Sequence, residues 1–145
     1  MLKTLPDTPE RTQHELTPQI TLGVPLIATK GWAAPEVEHA YTRARELCRQ
    51  AGETPQLFPV LVGLEGFYLG RAELRTACEL AEQLLGLAQR LQDPAFLLEA
   101  HHTLGATLFP LGELTAAQTH LEQGIALYNP PQHRSHAFLY SGHDP

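Results

Sequence analysis

Apolar residues recur along this chain at steps of three and four. Leu74, Ala77, Leu80, Ala81, Leu84, Leu85 and Ala88 form one such series, and Leu114, Ala117, Leu121, Ile125 and Tyr128 form another. That spacing places each series on one face of an α-helix. Alternating runs of β-branched residues do not occur. Ala, Leu, Glu, Gln and Arg dominate the middle of the chain, and these are good helix formers.

Proline marks the breaks. Thr8-Pro9, Ala34-Pro35, Thr54-Pro55 and Asp93-Pro94 each precede a helical pattern. Proline suits a first helical turn because the N–H it lacks would be unpaired there. Thr8, Thr54 and Asp93 can each cap the amides behind them. The pattern predicts six helices, over 9–28 (bent near Pro18 and Pro25), 35–50, 55–69, 72–91, 94–109 and 114–128. Ala51-Gly52 stops the second helix, and Pro110 with Gly112 breaks the chain after the fifth. The segment 132–145 reads as loop, with Phe138, Leu139 and Tyr140 suggesting the start of a truncated further helix.

Short connections between helices predict antiparallel neighbours. The sequence also repeats itself. Glu73, Leu74, Ala77, Glu82 and Gln83 return as Glu113, Leu114, Ala117, Glu122 and Gln123, an offset of 40 throughout. Leu64 and Leu104 match at that offset, as do Leu87 and Leu127. Glu36, Val37, Ala40, Ala44 and Leu47 align with Glu73, Leu74, Ala77, Ala81 and Leu84 at an offset of 37. Residues 1–131 therefore read as one array, with repeats at about 8–52, 54–92 and 93–131. Each repeat is one helix pair.

The third repeat resembles the tetratricopeptide (TPR) family. Leu104-Gly105, Leu108, Gly112 and Ala117 stand at that family's spacing of a Leu-Gly pair, a large residue, a turn glycine and a small alanine. Gly105 would let the paired helices approach, with Ala117 facing the contact. Gly112 would allow the sharp turn. The second repeat keeps Leu64, Tyr68 and Ala77, but carries Glu65 where a small residue is usual, with its turn glycine displaced to Gly70. The first keeps Ala40 and has a longer turn through Gly31 and Trp32. The resemblance implies an all-α, right-handed TPR-like solenoid of about three antiparallel helix pairs.

A narrower resemblance covers nearly the whole chain. The stretches LPDTPERTQHELTPQITLG, GWAAPEVEHAYTRARELCRQAGE and AEQLLGLAQRLQDPAFLLEAHHTLGATLFPLGEL look like one particular repeat region. It lies behind the nucleotide-binding module of bacterial multidomain signalling ATPases. Many of those carry an N-terminal adenylate/guanylate cyclase domain, and related ones a LuxR-type DNA-binding domain. The resemblance implies a fragment or truncated gene product that belongs to the sensory arm of such a protein. A stand-alone adaptor gripping a peptide in its concave groove is the alternative.

Composition narrows the chemistry. Hydrophobic residues make up 43% of the 145, enough for a core. Ten Lys plus Arg against sixteen Asp plus Glu give a net charge of −6, which disfavours nucleic acid. Neither a secretory signal nor a membrane-spanning run is present, so the expected location is the cytoplasm. Cys48 and Cys78 are isolated and read as reduced thiols. The Gly23-to-Gly31 stretch around Lys30 fails the GxxxxGK[ST] phosphate-loop pattern, so no nucleotide site is expected.

His101 and His102 are neighbours on a helix, about 100° apart, a poor start for a shared metal. His133, His136 and His143 lie in the tail without a Cys or carboxylate cluster, and no metal is expected. Ser135 and Ser141 lack the strand–turn–helix elbow of a hydrolase. Glu10, Glu15, Glu36 and Glu38 sit near helix starts, where carboxylates favour the helix dipole. The expectation is no catalytic site and no cofactor.

Protein binding remains. In a helical array the first helix of each pair lines the inner face. Glu99, His102, Ala106 and Phe109 would point that way in the third repeat, and Pro59, Val62, Gly66 and Leu69 in the second. Val62, Leu69, Glu99, His102 and Phe109 are the candidate contacts. The stripe is apolar and lacks a Lys or Arg pair, so it suits neighbouring repeats or domains better than a charged peptide tail. Trp32 and Phe67 read as core or inter-repeat packing.

Overall fold

The computed structural model describes residues 8–52 and 55–129. Six helices follow one another: α1 (Pro9–Lys30), α2 (Pro35–Ala51), α3 (Leu57–Gly70), α4 (Leu74–Leu91), α5 (Pro94–Leu108) and α6 (Leu114–Leu127). No strand occurs among the described residues. Each helix packs on the next in sequence, and α3 also touches α1 and α5.

The helices begin where the sequence supplies a cap. The Thr8 side chain accepts a hydrogen bond from the Arg11 amide at 3.3 Å, and Asp93 accepts one from Ala95 at 2.9 Å. Thr54 lies outside the described residues, and α3 starts only at Leu57, after a turn at Pro55 and Gln56. Helix α1 continues through both Pro18 and Pro25 to Lys30. Gly31 and Gly52, with φ of 86° and 88°, end α1 and α2. Residues 132–145, including Phe138, Leu139, Tyr140 and the tail serines and histidines, lie outside the described residues.

The turns within the second and third pairs share one geometry. After α3, the Glu73 amide reaches the Tyr68 carbonyl at 2.9 Å and the Ala72 amide reaches Leu69 at 3.0 Å. After α5, Glu113 reaches Leu108 at 3.1 Å and Gly112 reaches Phe109 at 3.0 Å. This pairing of a long and a short bond around one left-handed residue is a Schellman cap. The left-handed residue is Gly112 (φ 81°) in the third pair and Ala72 (φ 59°) in the second. This corrects the expectation that Gly70 takes the turn position. Gly70 is the last residue of α3, and Ala72 stands 40 residues before Gly112.

The core is continuous from α1 to α5. Leu16, Val37, Tyr41, Ala44, Leu47, Phe58, Val60, Leu61, Phe67, Leu84 and Leu87 are nearly or wholly enclosed. Two close approaches hold it together. The Tyr41 ring lies between Gly23 of α1 and Gly63 of α3, where an added Cβ would come within 2.2 Å and 2.3 Å of it. The Trp32 ring covers Gly66 equally closely. Trp32 and Phe67 are thus packing residues, as their sequence context suggests.

Candidate interaction surface

The repeat-defining residues sit at the contacts their chemistry suits. Ala40, Leu64, Ala77, Leu104 and Ala117 are buried. A Cβ on Gly105 would lie 2.6 Å from Leu121 Cγ and 3.2 Å from the Ala117 carbonyl oxygen. Gly105 therefore lets α5 and α6 meet at backbone distance. Tyr68 and Leu108 are half-buried, and the Tyr68 hydroxyl donates to Glu38 of α2 at 3.0 Å. Other cross-helix links are polar and more open. Arg43 grips both oxygens of Glu15, at 2.7 Å and 3.0 Å, and Lys30 pairs with Glu36. That guanidinium holds the Glu15 carboxyl below its ordinary range.

The five candidate contact residues do not form one open groove. Val62 is 4% exposed and belongs to the core, and Glu99 is 5% exposed. This corrects the expectation that both line an accessible face: α3 is apolar all round, and its neighbours enclose it. Leu69 and His102 are half-buried. Phe109, at the end of α5, is 65% exposed.

Glu99 and His102 belong instead to a buried polar cluster that sequence reasoning missed. Glu65 of α3, 5% exposed, meets the Thr107 hydroxyl of α5 at 2.7 Å. Thr107 Oγ1 also lies 2.8 Å from the Thr103 carbonyl oxygen. One hydroxyl has one hydrogen, and a carbonyl can only accept. A protonated Glu65 that donates to Thr107 satisfies both contacts at once. Burial pushes the Glu65 carboxyl up to about 7, helped by the charge of Glu99 and opposed by Thr107 and His102. His102 Nδ1 lies 3.8 Å from Glu99 Oε1, and Glu99 raises the imidazole above its ordinary value. The signal was present: Glu65 stands 40 residues before Gly105, where a small residue is usual.

The adjacent histidine points elsewhere. His101 Nδ1 meets His120 Nδ1 of α6 at 3.0 Å, which requires one ring to donate and the other to accept. Burial, then the charge of His120, lowers His101. Among the described residues, no three His, Cys, Asp or Glu side chains are grouped to hold a metal ion. Cys48 and Cys78 form no disulfide among the described residues, and one is buried and the other partly so. No described helix is long and apolar enough to cross a membrane.

Apolar exposure concentrates on the third pair. Phe109, Leu111 and Leu114 are 65%, 36% and 59% exposed around the α5–α6 turn, and Ile125 is 74% exposed further along α6. Of the five residues in the apolar stripe of α6, Ala117 is buried, Leu121 and Tyr128 are half-buried, and Leu114 and Ile125 are exposed. Leu111 replaces Arg71 of the second pair, whose guanidinium lies 5.5 Å over the Phe67 ring.

No protein-family model matches the chain. The crystal structure of the TPR domain of Arabidopsis FLU is similar to it with a TM-score of 0.68 at 21% identity, covering 79% of this chain and 95% of that one. An uncharacterized protein of Rhizobium meliloti (strain 1021) is 26% identical over 125 residues, which are 85% of this chain. The chain spans only 12% of that relative's length. The architecture, helix by helix, is that of an all-α, TPR-like solenoid of antiparallel helix pairs.

Proposed function

We propose that this chain is a non-catalytic helical-repeat scaffold that makes protein contacts through the exposed apolar turn of its third pair. The observation that carries the reading is the Phe109, Leu111 and Leu114 triad, three large apolar side chains held in water by one rigid turn. Solenoids of this kind bind proteins or peptides. The contact is an interdomain one, within the sensory arm of a bacterial signalling ATPase that often carries a nucleotide cyclase. The sequence resemblance to that repeat region supports this, as does an alignment that occupies a small part of a much longer relative.

The reading frame around this chain tests the interdomain role. A phosphate-loop ATPase encoded in frame upstream is expected, and deleting residues 8–129 from it should alter nucleotide turnover or inducer response. Unrelated genes behind stop codons on both sides, or an unchanged response, would contradict the role. The second reading is a free adaptor for a peptide segment. Phe109, Leu69 and His102 retain exposure on the inner helices and favour it. It predicts a soluble monomer that retains one specific partner.

A further inference from the structure

The third pair carries two histidines where the second pair carries two leucines. His101 of α5 and His120 of α6 stand 40 residues after Leu61 and Leu80, which are both enclosed in the core. The two rings meet across the contact between the helices. Their Nδ1 atoms lie 3.0 Å apart and their centroids 5.3 Å, so the rings face each other nitrogen to nitrogen. The change is matched on both helices, and it replaces two apolar side chains with two convergent nitrogens.

Neutral imidazole nitrogen is a common ligand of transition metals. Two such bonds of about 2.0–2.1 Å, at a square or tetrahedral angle, hold the nitrogens roughly 2.8–3.4 Å apart. The observed 3.0 Å lies inside that span. Gly105 lets α5 and α6 meet at backbone distance, so two packed helices set the bite and no loop is involved. Gly124, where the second pair has Leu84, adjoins His101: an added Cβ would lie 3.8 Å from His101 Cβ. No side chain from that position confines the His101 ring. Both rings are half-buried, which leaves one side open to water.

We propose that His101 and His120 bind a late first-row divalent metal ion, of the copper and zinc class, through their Nδ1 atoms, with water completing its coordination. Both rings turn so that their lone pairs converge on the ion. The hydrogen that they share moves through water to Nε2 of the donating ring, so the neutral pair takes up the ion without net proton release. Among the described residues no third His, Cys, Asp or Glu joins them. The site is thus a clasp between two helices and not a closed four-ligand site. It ties α6 to α5 and stiffens the pair that presents Phe109, Leu111 and Leu114. The proposal holds whichever partner that turn contacts.

The metal-free full chain, titrated with zinc chloride at pH 7.5, tests this by thermal melting and amide hydrogen exchange. Zinc has no redox chemistry and leaves the thiols intact. Saturating zinc should raise Tm by at least about 5 °C. It should slow exchange in residues 98–105 and 117–124 by at least about ten-fold. His101→Gln and His120→Gln should each lose both effects. A chain with His133→Gln, His136→Gln and His143→Gln should keep them. In the parent chain, imidazole nitrogen NMR should show zinc shifting the Nδ1 signals of His101 and His120, a reading that needs no variant. No effect of zinc on the parent chain would overturn the proposal. So would effects that survive in His101→Gln, effects that vanish in the tail variant, or zinc shifts confined to other histidines.

Discussion

The α3–α4 and α5–α6 pairs are closed by the same turn, yet their second helices are buried very differently. Helix α4 encloses Ala77, Leu80, Ala81, Leu84, Leu87 and Ala88, whereas α6 encloses only Ala117 and Gly124. The difference accompanies a difference in neighbours as well as in residues, since Leu80 and Leu84 of α4 become His120 and Gly124 in α6. Helix α4 has α3 on one side and α5 on the other, and α6 packs on α5. In a one-dimensional array each pair is stabilised by the pairs beside it, so the pair with fewer described neighbours is the weaker and the more available for contact.

Truncating one leucine in each pair breaks this comparison most sharply. Leu84→Ala in α4 removes a fully enclosed side chain and should cost about 3 kcal/mol in urea unfolding. Leu114→Ala at the start of α6, where the side chain is 59% exposed, should stay within about 0.5 kcal/mol. Equal losses would show that α6 is covered as well as α4.

Titration probes the seam between the two pairs. The ordinary Glu pKa is 4.5, and burial raises Glu65 to about 7 in the folded chain. The folded state therefore holds this proton more tightly than the unfolded chain. Its contribution is full below about 4.5 and is lost as pH rises through about 7, a difference of about 3 kcal/mol. Glu65→Gln stays neutral, so its stability should lack that fall between pH 5 and 8. A parallel fall in the variant would assign the loss to another group. The third pair responds at the opposite end. His101 is lowered in the folded chain, so its contribution is present above about 6.5 and is lost as pH falls. Faster amide exchange in α6 at pH 5 than at pH 7.5, corrected for intrinsic rates, should accompany that loss.

The smallest expected effect exchanges the turn residues. Ala72→Gly relieves a left-handed alanine and should stabilise by up to about 1 kcal/mol, while Gly112→Ala should destabilise by about 1 kcal/mol. Thermal melting of the two variants should shift in opposite directions. Shifts of the same sign would contradict a shared turn.

Much of this fold was legible because the sequence repeats its own pattern. The series from Leu74 to Ala88 fixed the buried face of α4, and Thr8 and Asp93 marked two helix starts. The turn after α3 was misread because glycine is the usual left-handed residue, and nothing local shows that Ala72 bears the strain. The inner face was less legible. Helical spacing places Val62 and Glu99 on a face, but only the packing of neighbouring helices decides that the face is closed. The Glu65–Thr107 contact joins residues 42 apart in sequence, and only the odd carboxylate at a small-residue position hinted at it. Likewise, the apolar spacing of α6 suggests a buried stripe, yet Ile125 on it is exposed among the described residues.

Photo-crosslinking from position 109 tests the central claim most directly. A benzophenone amino acid replaces Phe109 in the complete gene product, expressed in its native cell, and crosslinked peptides are read by mass spectrometry. The account predicts crosslinks to one defined protein segment, abolished by Leu114→Asp. Crosslinking no greater than from an exposed polar control such as Gln89, or unaffected by Leu114→Asp, would contradict a contact made through this turn.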